Sequence, residues 1–281
     1  MRPIPATDSF RFLIHMIYVF DGSFDGLLTV AFVSAQDKKP LDEVTDNCAQ
    51  GSFLGMTQVA SDAFKAGRVR QFVSNKLGED FLDMLRYAFL SAYPERFTCM
   101  VRTLHLARRY GPQVLNVVDD AVLAFLRCYR AAANEAHRFT GLTRFSELPD
   151  GLLVAIIAPK NNVLAPVLAH FVQRYPSQRL AIYDEGRCLL GRYEQGGVLV
   201  KEVDIPPPQA TPDEQQYRTL WRTFFTAVTI EERLNPSLQR QHMPLYTWRN
   251  LTEMQEKPAS KTASNQHAPL QDEAQHAIIS I

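Results

Sequence analysis

The sequence predicts an α+β protein, because three patterns follow one another along its 281 residues. Residues 11–20 (RFLIHMIYVF) are rich in β-branched and aromatic side chains and precede Asp21-Gly22, which is typical of a strand that ends in a turn. From Ser61 to Arg138 the apolar residues recur at helical spacing, and from residue 141 onwards short apolar runs alternate with turn residues. We therefore expect an N-terminal strand and helical region, an antiparallel β-meander with an inserted helix, and a helical C-terminal cap.

The first helix is predicted to begin directly after the first strand. Ser23 is a suitable N-cap, because its hydroxyl can accept a hydrogen bond from a backbone N–H of the first turn. Asp25 falls in that turn, where a negative charge interacts favourably with the helix dipole. We assign residues 11–140 to this strand and the helical region after it.

The meander is predicted over residues 141–204. Its strands are expected at Gly141–Leu148, Leu152–Ala158, Arg179–Tyr183, Cys188–Tyr193 and Val198–Val203. Val163–Arg174 has helical spacing, which predicts the inserted helix. We expect the first strand to join this sheet, which would make residues 1–254 a single interwoven domain.

Two helices are predicted between residues 209 and 254. The first covers Pro212–Thr229, and three large aromatic side chains form its apolar face: Trp221, Phe224 and Phe225. The second begins at Asn235-Pro236, because asparagine is a good N-cap and proline suits the first helical position. Residues 255–281 are mostly polar and are predicted to form a disordered tail.

Composition indicates a cytoplasmic protein without a membrane span. Lys plus Arg equal Asp plus Glu at 30 each, so any attraction to nucleic acid must come from a local patch. The apolar run Phe12–Phe20 is too short to cross a bilayer. The four cysteines lie too far apart for a zinc or iron–sulfur motif, and we expect free thiols in a reducing compartment. They are Cys48, Cys99, Cys128 and Cys188.

No motif in the sequence identifies a reaction, a cofactor or a metal. The chain contains no HExxH, Walker, GxGxxG or GxSxG pattern, which argues against metalloprotease, nucleotide hydrolase, dehydrogenase and α/β-hydrolase chemistry. A carboxylate-based glycosylase or nuclease stays open, because its acids can come from anywhere in the chain. Whether the protein is an enzyme is therefore undecided at this point.

The turn after the first strand contains the candidate catalytic residues Asp21, Ser23 and Asp25. Two carboxylates and a hydroxyl at the carboxyl end of a strand are placed where α/β proteins often hold ligands. The same residues also fit a capped turn, in which Asp21 and Ser23 only satisfy backbone donors, and this is the more common arrangement.

The segment Glu231–Glu253 contains the candidate nucleic-acid-binding residues. Its basic, amide and aromatic side chains suit contacts to phosphates and stacking on bases. They are Arg233, Asn235, Arg240, Gln241, His242 and Trp248. The alternative is a helix docked on the core, with Trp248 buried and Arg233 paired with a carboxylate.

The helical region offers a second basic surface. Residues 61–140 hold twelve Lys or Arg against eight Asp or Glu, a surplus of four. The arginines that we consider for phosphate contacts are Arg68, Arg70, Arg102, Arg108 and Arg109. A solvated helix face is the more common explanation of such a surplus.

Three segments together resemble a bacterial family of probable DNA-metabolism or DNA-repair proteins with a conserved domain of unknown function of the DUF4130 type. They are YVFDGSFDGLL (Tyr18–Leu28), the middle region from LVAIIAP to HFVQRYPSQRLAIYDEGR, and the EERLNPSLQRQHMP block. The resemblance covers residues 14–254. One departure follows Met243-Pro244, where Leu245, Tyr246 and Thr247 replace the family's usual basic residues.

The resemblance implies a role in DNA repair or modification. Family members are encoded beside a radical-SAM iron–sulfur protein, and related proteins fuse the region to a uracil-DNA glycosylase-like domain. The expected function is an accessory protein that binds DNA, the radical-SAM partner, or both. The alternatives are a carboxylate-based enzyme that acts on a nucleobase and a protein-interaction scaffold without nucleic-acid contact. The resemblance supplies no catalytic residue.

Overall fold

A computed structural model describes residues 16–37, 40–46, 55–203 and 212–255, and it confirms the α+β class. The strands are β1 Met16–Val19, β2 Leu41–Thr45, β3 Met56–Gln58, β4 Phe145–Glu147, β5 Leu153–Ile157, β6 Leu180–Asp184, β7 Leu189–Glu194 and β8 Gly197–Glu202. The helices are α1 Phe24–Ser34, α2 Ala63–Lys76, α3 Glu79–Phe89, α4 Arg96–Tyr110, α5 Asp120–Leu142, α6 Leu164–Arg174, α7 Pro212–Ala227 and α8 Pro236–His242. Short 3-10 segments follow α4 and α8. The predicted tail lies outside the described residues, apart from Gln255.

The first strand belongs to a small parallel sheet in the order β2-β1-β3. The expectation that β1 joins the later sheet is therefore wrong. Helix α1 crosses over from β1 and returns the chain to a parallel neighbour, β2. The sequence of β2, LDEVT, is mostly polar and carries no clear strand pattern, so the competing partner was not predicted.

The later sheet has five strands in the order β4-β5-β6-β7-β8. Its pairs are antiparallel except for β5 and β6, which run parallel. The predicted meander is therefore antiparallel at three of its four pairings, and the inserted helix α6 explains the exception. A helix between two strands carries the chain back to the same end of the sheet, which makes the strands parallel.

The buried side chains form two hydrophobic cores, and α5 contributes to both. Its N-terminal half places Val122, Phe125 and Cys128 in the first core, with α1 to α4 and the small sheet. Its C-terminal half places Ala132 and Phe139 in the second core, with α6 and the five-stranded sheet. The assignment of residues 1–254 to one domain stays a prediction.

The predicted N-caps are confirmed, and the predicted apolar face of α7 is largely exposed. Ser23 and Asn235 both accept hydrogen bonds from backbone N–H groups of the helices that they precede. Trp221 is 42% exposed and Phe224 is 56% exposed, so neither is buried in the core. Helix α7 is held by polar contacts instead, since Arg218 donates to Ser146 Oγ at 2.7 Å. Within the described residues, none of the helices combines the length and apolarity needed to span a bilayer.

Candidate functional site

The Asp21–Asp25 turn is a capped turn in the structure. The backbone N–H and hydroxyl of Ser23 donate to Asp21 Oδ1 at 3.0 and 2.6 Å, and Gly26 N donates to Ser23 Oγ at 2.9 Å. The bond from the Ser23 hydroxyl lowers the pKa of Asp21 below its ordinary value. Asp25 is paired with Arg70 of α2. The three candidate catalytic residues therefore stabilise the start of α1 and its contact with α2.

The candidate residues of the C-terminal block lie mainly on the exposed helix α8 and its flanks. Arg233, Asn235, Arg240, Gln241 and His242 are exposed, and Trp248 is half-buried. Within the part of the chain that the structure describes, none of the basic residues in this set forms an ion pair.

Three of these side chains also have local structural roles. Asn235 Oδ1 accepts from Leu238 N at 3.0 Å, and Arg240 Nε donates to Pro236 O at 3.1 Å. Trp248 Nε1 donates to Met243 O at 2.8 Å, which closes the segment after α8. The block thus combines a local fold with exposed cations.

The turn and the block do not come together. Phe24, in the turn, packs against the first core, whereas Tyr246, in the block, packs against the second. Among the described residues, no hydrogen bond or ion pair joins the two segments. The Asp21–Asp25 turn therefore does not supply acids to a site at the C-terminal block.

A different carboxylate organises the region around the block. Glu135, on α5, is only 2% exposed. Its Oε1 accepts from Lys160 N at 3.0 Å and from the Tyr246 hydroxyl at 2.6 Å. Its Oε2 accepts from Asn161 N at 2.7 Å and from Asn161 Nδ2 at 2.6 Å. Four donors therefore compensate for the burial of this charge, as a buried carboxylate requires.

The loop that Glu135 holds lies at the carboxyl ends of the parallel strands β5 and β6. Arg187 holds the same loop from its other side by donating to Pro159 O at 3.1 Å and to Lys160 O. Arg187 also donates to the buried Asp184 at 3.0 Å. Burial raises the pKa of Asp184, although Arg187 opposes that shift. This edge of an α/β arrangement is where ligand groups are commonly placed.

The held loop, α5 and the C-terminal block line an open cleft of about 530 Å³. Arg138 and Lys160 lie at the cleft, and Tyr93 and Tyr246 contribute aromatic rings. Lys160 Nζ is 5.4 Å from the centre of the Tyr246 ring. Burial, followed by the bond to Glu135, raises the pKa of the Tyr246 hydroxyl, so this group stays protonated and continues to donate.

The cationic surface continues from this cleft along α5. A neighbouring depression of about 460 Å³ is lined by Arg127, Arg130 and Arg138, among others. Arg127 is paired with Glu95 and lies 5.2 Å from the centre of the Tyr93 ring. Within the described residues, Arg130, Arg138 and Lys160 have no acidic partner. We call these three residues the α5 cationic set.

The arginines predicted from the charge surplus behave differently. Arg70 pairs with Asp25, Arg102 donates to the carbonyls of Leu41 and Asp42 at 2.9 Å, and Arg108 donates to Ala35 O at 3.3 Å. Each of these bonds ties α2 or α4 to a neighbouring element. Arg68 and Arg109 lie over aromatic rings of Phe32 and Tyr110.

The sequence contained one signal for Glu135 that the prediction did not use. Ala132, Ala136 and Phe139 form the buried stripe of α5, and Glu135 falls on that stripe. An acid among apolar positions at helical spacing indicates a buried carboxylate with dedicated partners. The sequence did not identify those partners. Tyr246 was noted only because it replaces a residue that is usually basic in the family.

The protein is therefore of the α+β class, with a basic cleft at the carboxyl ends of two parallel strands of a mixed sheet. A flanking helix lines the cleft, and a buried acid holds the lining residues in place. A family model described as a domain of unknown function, DUF4130, matches residues 94–253, and the chain belongs to that family. The match includes α4 to α8 and the five-stranded sheet, but not Tyr18–Leu28. The family resemblance is therefore confirmed over a shorter range than residues 14–254. No curated protein and no solved structure matches the chain significantly.

Proposed function

We propose that this protein binds single-stranded nucleic acid along the α5 cationic set, as an accessory protein of DNA repair or modification in the cytoplasm. The observation that carries the proposal is the grouping of Arg130, Arg138 and Lys160 beside Tyr93 and Tyr246. Cations without acidic partners attract phosphates, and tyrosine rings provide faces on which bases can stack.

The length of the surface supports this choice of ligand. Arg127 and Arg138 are eleven positions apart on α5, which corresponds to about 16 Å along the helix at 1.5 Å per residue. A strand of duplex DNA carries one phosphate for about every 3.4 Å of helix axis, and the phosphates of an extended single strand lie farther apart, so the surface could meet at most about five phosphates. Arg130 and Asn134 are exposed between the two ends.

The same geometry favours binding over catalysis by Glu135. All four donors described above are directed at its two oxygens, which leaves the carboxylate committed to the loop. A general base must reach a substrate proton. We therefore assign Glu135 to positioning Lys160 and Tyr246 rather than to chemistry.

Fluorescence anisotropy with a labelled single-stranded DNA, measured over a range of salt concentrations, tests the proposal. A triple variant, R130A/R138A/K160A, should bind more weakly. The slope of log affinity against log salt should decrease by about 2, because each phosphate that the protein no longer neutralises reduces the slope by about 0.7. The matched control is R68A/R108A/R109A, which removes the same number of positive charges from the other basic surface. Absence of binding at low salt, or an equal weakening in both variants, would contradict the proposal.

A second candidate function, docking of a protein partner, is favoured by the exposed face of α7. Four exposed apolar side chains recur on it at helical spacing, Tyr217, Leu220, Trp221 and Phe224, and the exposed Val228 follows directly after its end. A continuous exposed apolar stripe is typical of a protein-interaction surface. The family resemblance suggests the occupant, a radical-SAM iron–sulfur protein.

Co-purification of this protein with a radical-SAM iron–sulfur protein of the kind that the family resemblance implies tests the docking proposal. L220K/F224K should abolish recovery of the complex, because both side chains are exposed and a charge there opposes apolar contact. F64K is the control, since Phe64 is even more exposed but lies on α2. Recovery of the complex with L220K/F224K, or no complex with the unaltered protein, would rule out this surface.

A further inference from the structure

Helices α1, α2 and α4 line a pocket of about 280 Å³ that shares no residue with the cleft at Glu135. Two of its apolar residues, Ala31 and Leu104, are buried members of the first core, and Val69 and Phe72 pack against that core. The floor of the pocket is therefore the surface of the core itself. The full apolar lining is Ala31, Phe32, Ala35, Val69, Phe72 and Leu104.

The pocket exists because α1 presents small side chains where its two neighbours present larger ones. Ala31 lies in α1, and Ala35 is the C-cap residue four positions later, so both fall on the same face of the helix. Val69 of α2 and Leu104 of α4 line the same space. Larger side chains at positions 31 and 35 would fill it, as close packing does elsewhere in a core.

Four polar side chains complete the lining, and none of them is an acid among the described residues: Gln36, Arg68, His105 and Arg108. Arg68 and Arg108 are exposed, and neither has an acidic partner in the part of the chain that the structure describes. Arg68 lies 5.5 Å from the centre of the Phe32 ring, and Arg108 donates to Ala35 O at 3.3 Å. A guanidinium has five N–H donors, so most of the donors of both groups remain available to a ligand.

His105 contributes a neutral ring to the lining. Ser34 Oγ donates to Val30 O at 2.6 Å, so it accepts the bond that joins it to His105 Nε2 at 3.0 Å, and the ring proton is on Nε2. Burial lowers the pKa of His105 below its ordinary value and the charge of Arg108 lowers it further, although a bond to Ala31 O opposes the shift. The ring therefore adds no charge near neutral pH.

The charge of the pocket matches a ligand with one negative charge. Arg68 and Arg108 supply two positive charges, and the C-termini of α1 and α4 lie beside them. Each helix C-terminus has the effect of about half a negative charge, which leaves about one positive charge. In the neighbouring depression the charges of Arg109 and Asp37 cancel. A phosphate monoester carries about −1.5 to −2 at neutral pH, so a carboxylate fits this balance better.

We propose that this pocket binds a small amphipathic carboxylate, with its apolar body on the core floor and its carboxylate at Arg68 and Arg108. Small-molecule sites are typically apolar with a few polar groups that fix the orientation of the ligand, which is the composition of this lining. Arginine matches a carboxylate with two parallel hydrogen bonds. The pocket equals the liquid volume of about nine water molecules, which admits one aromatic ring with a short chain.

Ligand-observed NMR titration of the full chain with 4-phenylbutanoate tests the proposal. We expect saturable binding with a dissociation constant of about 1 mM or lower, as for a ligand of this size. Three comparison compounds should each bind at least about tenfold more weakly, because each lacks one of the two required features. They are 4-phenylbutan-1-ol without charge, 4-phenylbutan-1-amine with the opposite charge, and acetate without an apolar body. No saturation by 4-phenylbutanoate, or equal binding of the alcohol, would overturn the proposal.

Substitutions locate the bound carboxylate. R68Q/R108Q should weaken binding of 4-phenylbutanoate at least about tenfold, because it removes the charge-assisted hydrogen bonds. Both side chains are exposed, so the circular dichroism spectrum should not change. A35F should abolish binding by filling the pocket, and its thermal midpoint reports whether the fold is kept.

The matched control is R130Q/R138Q, which removes two charges from the α5 cationic set. It should bind 4-phenylbutanoate like the unaltered chain, whereas R68Q/R108Q should bind single-stranded DNA like the unaltered chain. The carboxylate site and the nucleic-acid surface are thus tested separately. Unchanged binding of 4-phenylbutanoate by R68Q/R108Q, or an equal weakening in R130Q/R138Q, would overturn the assignment of the ligand to this pocket.

Discussion

The Asp21–Asp25 turn and the buried Glu135 differ in how far along the sequence the hydrogen-bond partners of their carboxylates lie. In the Asp21–Asp25 turn, Asp21 bonds to a residue two positions away, and the group is largely exposed. Glu135 bonds to groups that lie 25, 26 and 111 positions away, and it is buried. The first feature sets one helix terminus and, through Asp25 and Arg70, one contact with α2, whereas the second fixes three separate segments around one cleft.

The difference shows that a cluster of acids in the sequence is a weak guide to where acids matter. Local clusters are satisfied by their own backbone, as caps and turns commonly are. An isolated acid on an apolar helix face has no local partner and must recruit distant ones. Substitutions at the two features should therefore have very different effects on stability.

The largest effect is expected for Glu135→Leu. It would leave the Tyr246 hydroxyl and two backbone N–H groups without an acceptor and would remove one of the two acceptors of Asn161 Nδ2, at a cost of at least about 3 kcal/mol in the free energy of unfolding. Urea denaturation followed by circular dichroism measures this loss. Glu135→Gln, which keeps one acceptor oxygen, should cost clearly less. A loss below about 1 kcal/mol for Glu135→Leu would contradict the expected difference in stability between Glu135 and the Asp21–Asp25 turn.

An intermediate effect is expected for Glu253→Gln. The Glu253 side chain is 2% exposed, pairs with Arg144 at 2.6 Å and accepts from Trp221 Nε1 at 3.1 Å. Loss of a charged acceptor of this kind costs about 1.5–3 kcal/mol. The measurement is again the free energy of unfolding in urea, at neutral pH.

The pH dependence of that loss follows from the pKa of Glu253. Burial alone would raise the pKa, but the hydrogen bond and charge of Arg144, a backbone hydrogen bond and the bond from Trp221 together outweigh it, and the pKa is lowered overall. A lowered folded-state pKa gives stability that is present above the ordinary value of 4.5 and is lost as pH falls through the folded value. The difference between the two proteins should therefore shrink below pH 4.5. A difference that persists unchanged in acid would point to packing rather than charge.

The smallest effect is expected for Asp21→Asn. The amide keeps an oxygen that can accept from Ser23, and the group is exposed, so the free energy of unfolding should change by less than about 0.5 kcal/mol. Thermal unfolding by calorimetry is sensitive enough to compare this variant with Glu135→Gln. A large loss at Asp21 would reverse the contrast between the two features.

Features that depend on neighbours in sequence were predictable. The caps at Ser23 and Asn235 and the position of α6 follow from residue types within one or two turns. The helical region was likewise readable, because its apolar residues recur at a fixed spacing.

Features that depend on distant partners were not. Strand β2 is mostly polar, so nothing in its sequence indicated that β1 would pair with it and not with the larger sheet. Trp221 and Phe224 were predicted to form the apolar face of α7 because they are large and apolar, but the extent of their burial depended on distant partners: Glu253 and Arg144 contact Trp221, and Phe224 stays 56% exposed. The roles of Arg130 and Arg138 depended on which other arginines already had partners, and a charge count does not contain that information.

Helix α5 has a consequence for any attempt to isolate the family region. At 23 residues it is about 35 Å long, and its first half packs against segments that precede residue 94. A truncated protein that starts at residue 94 would expose Phe97, Met100 and Phe125 to water. The boundary of the family match therefore divides a hydrophobic core. The region that the family model covers is not the same as a unit that can fold by itself.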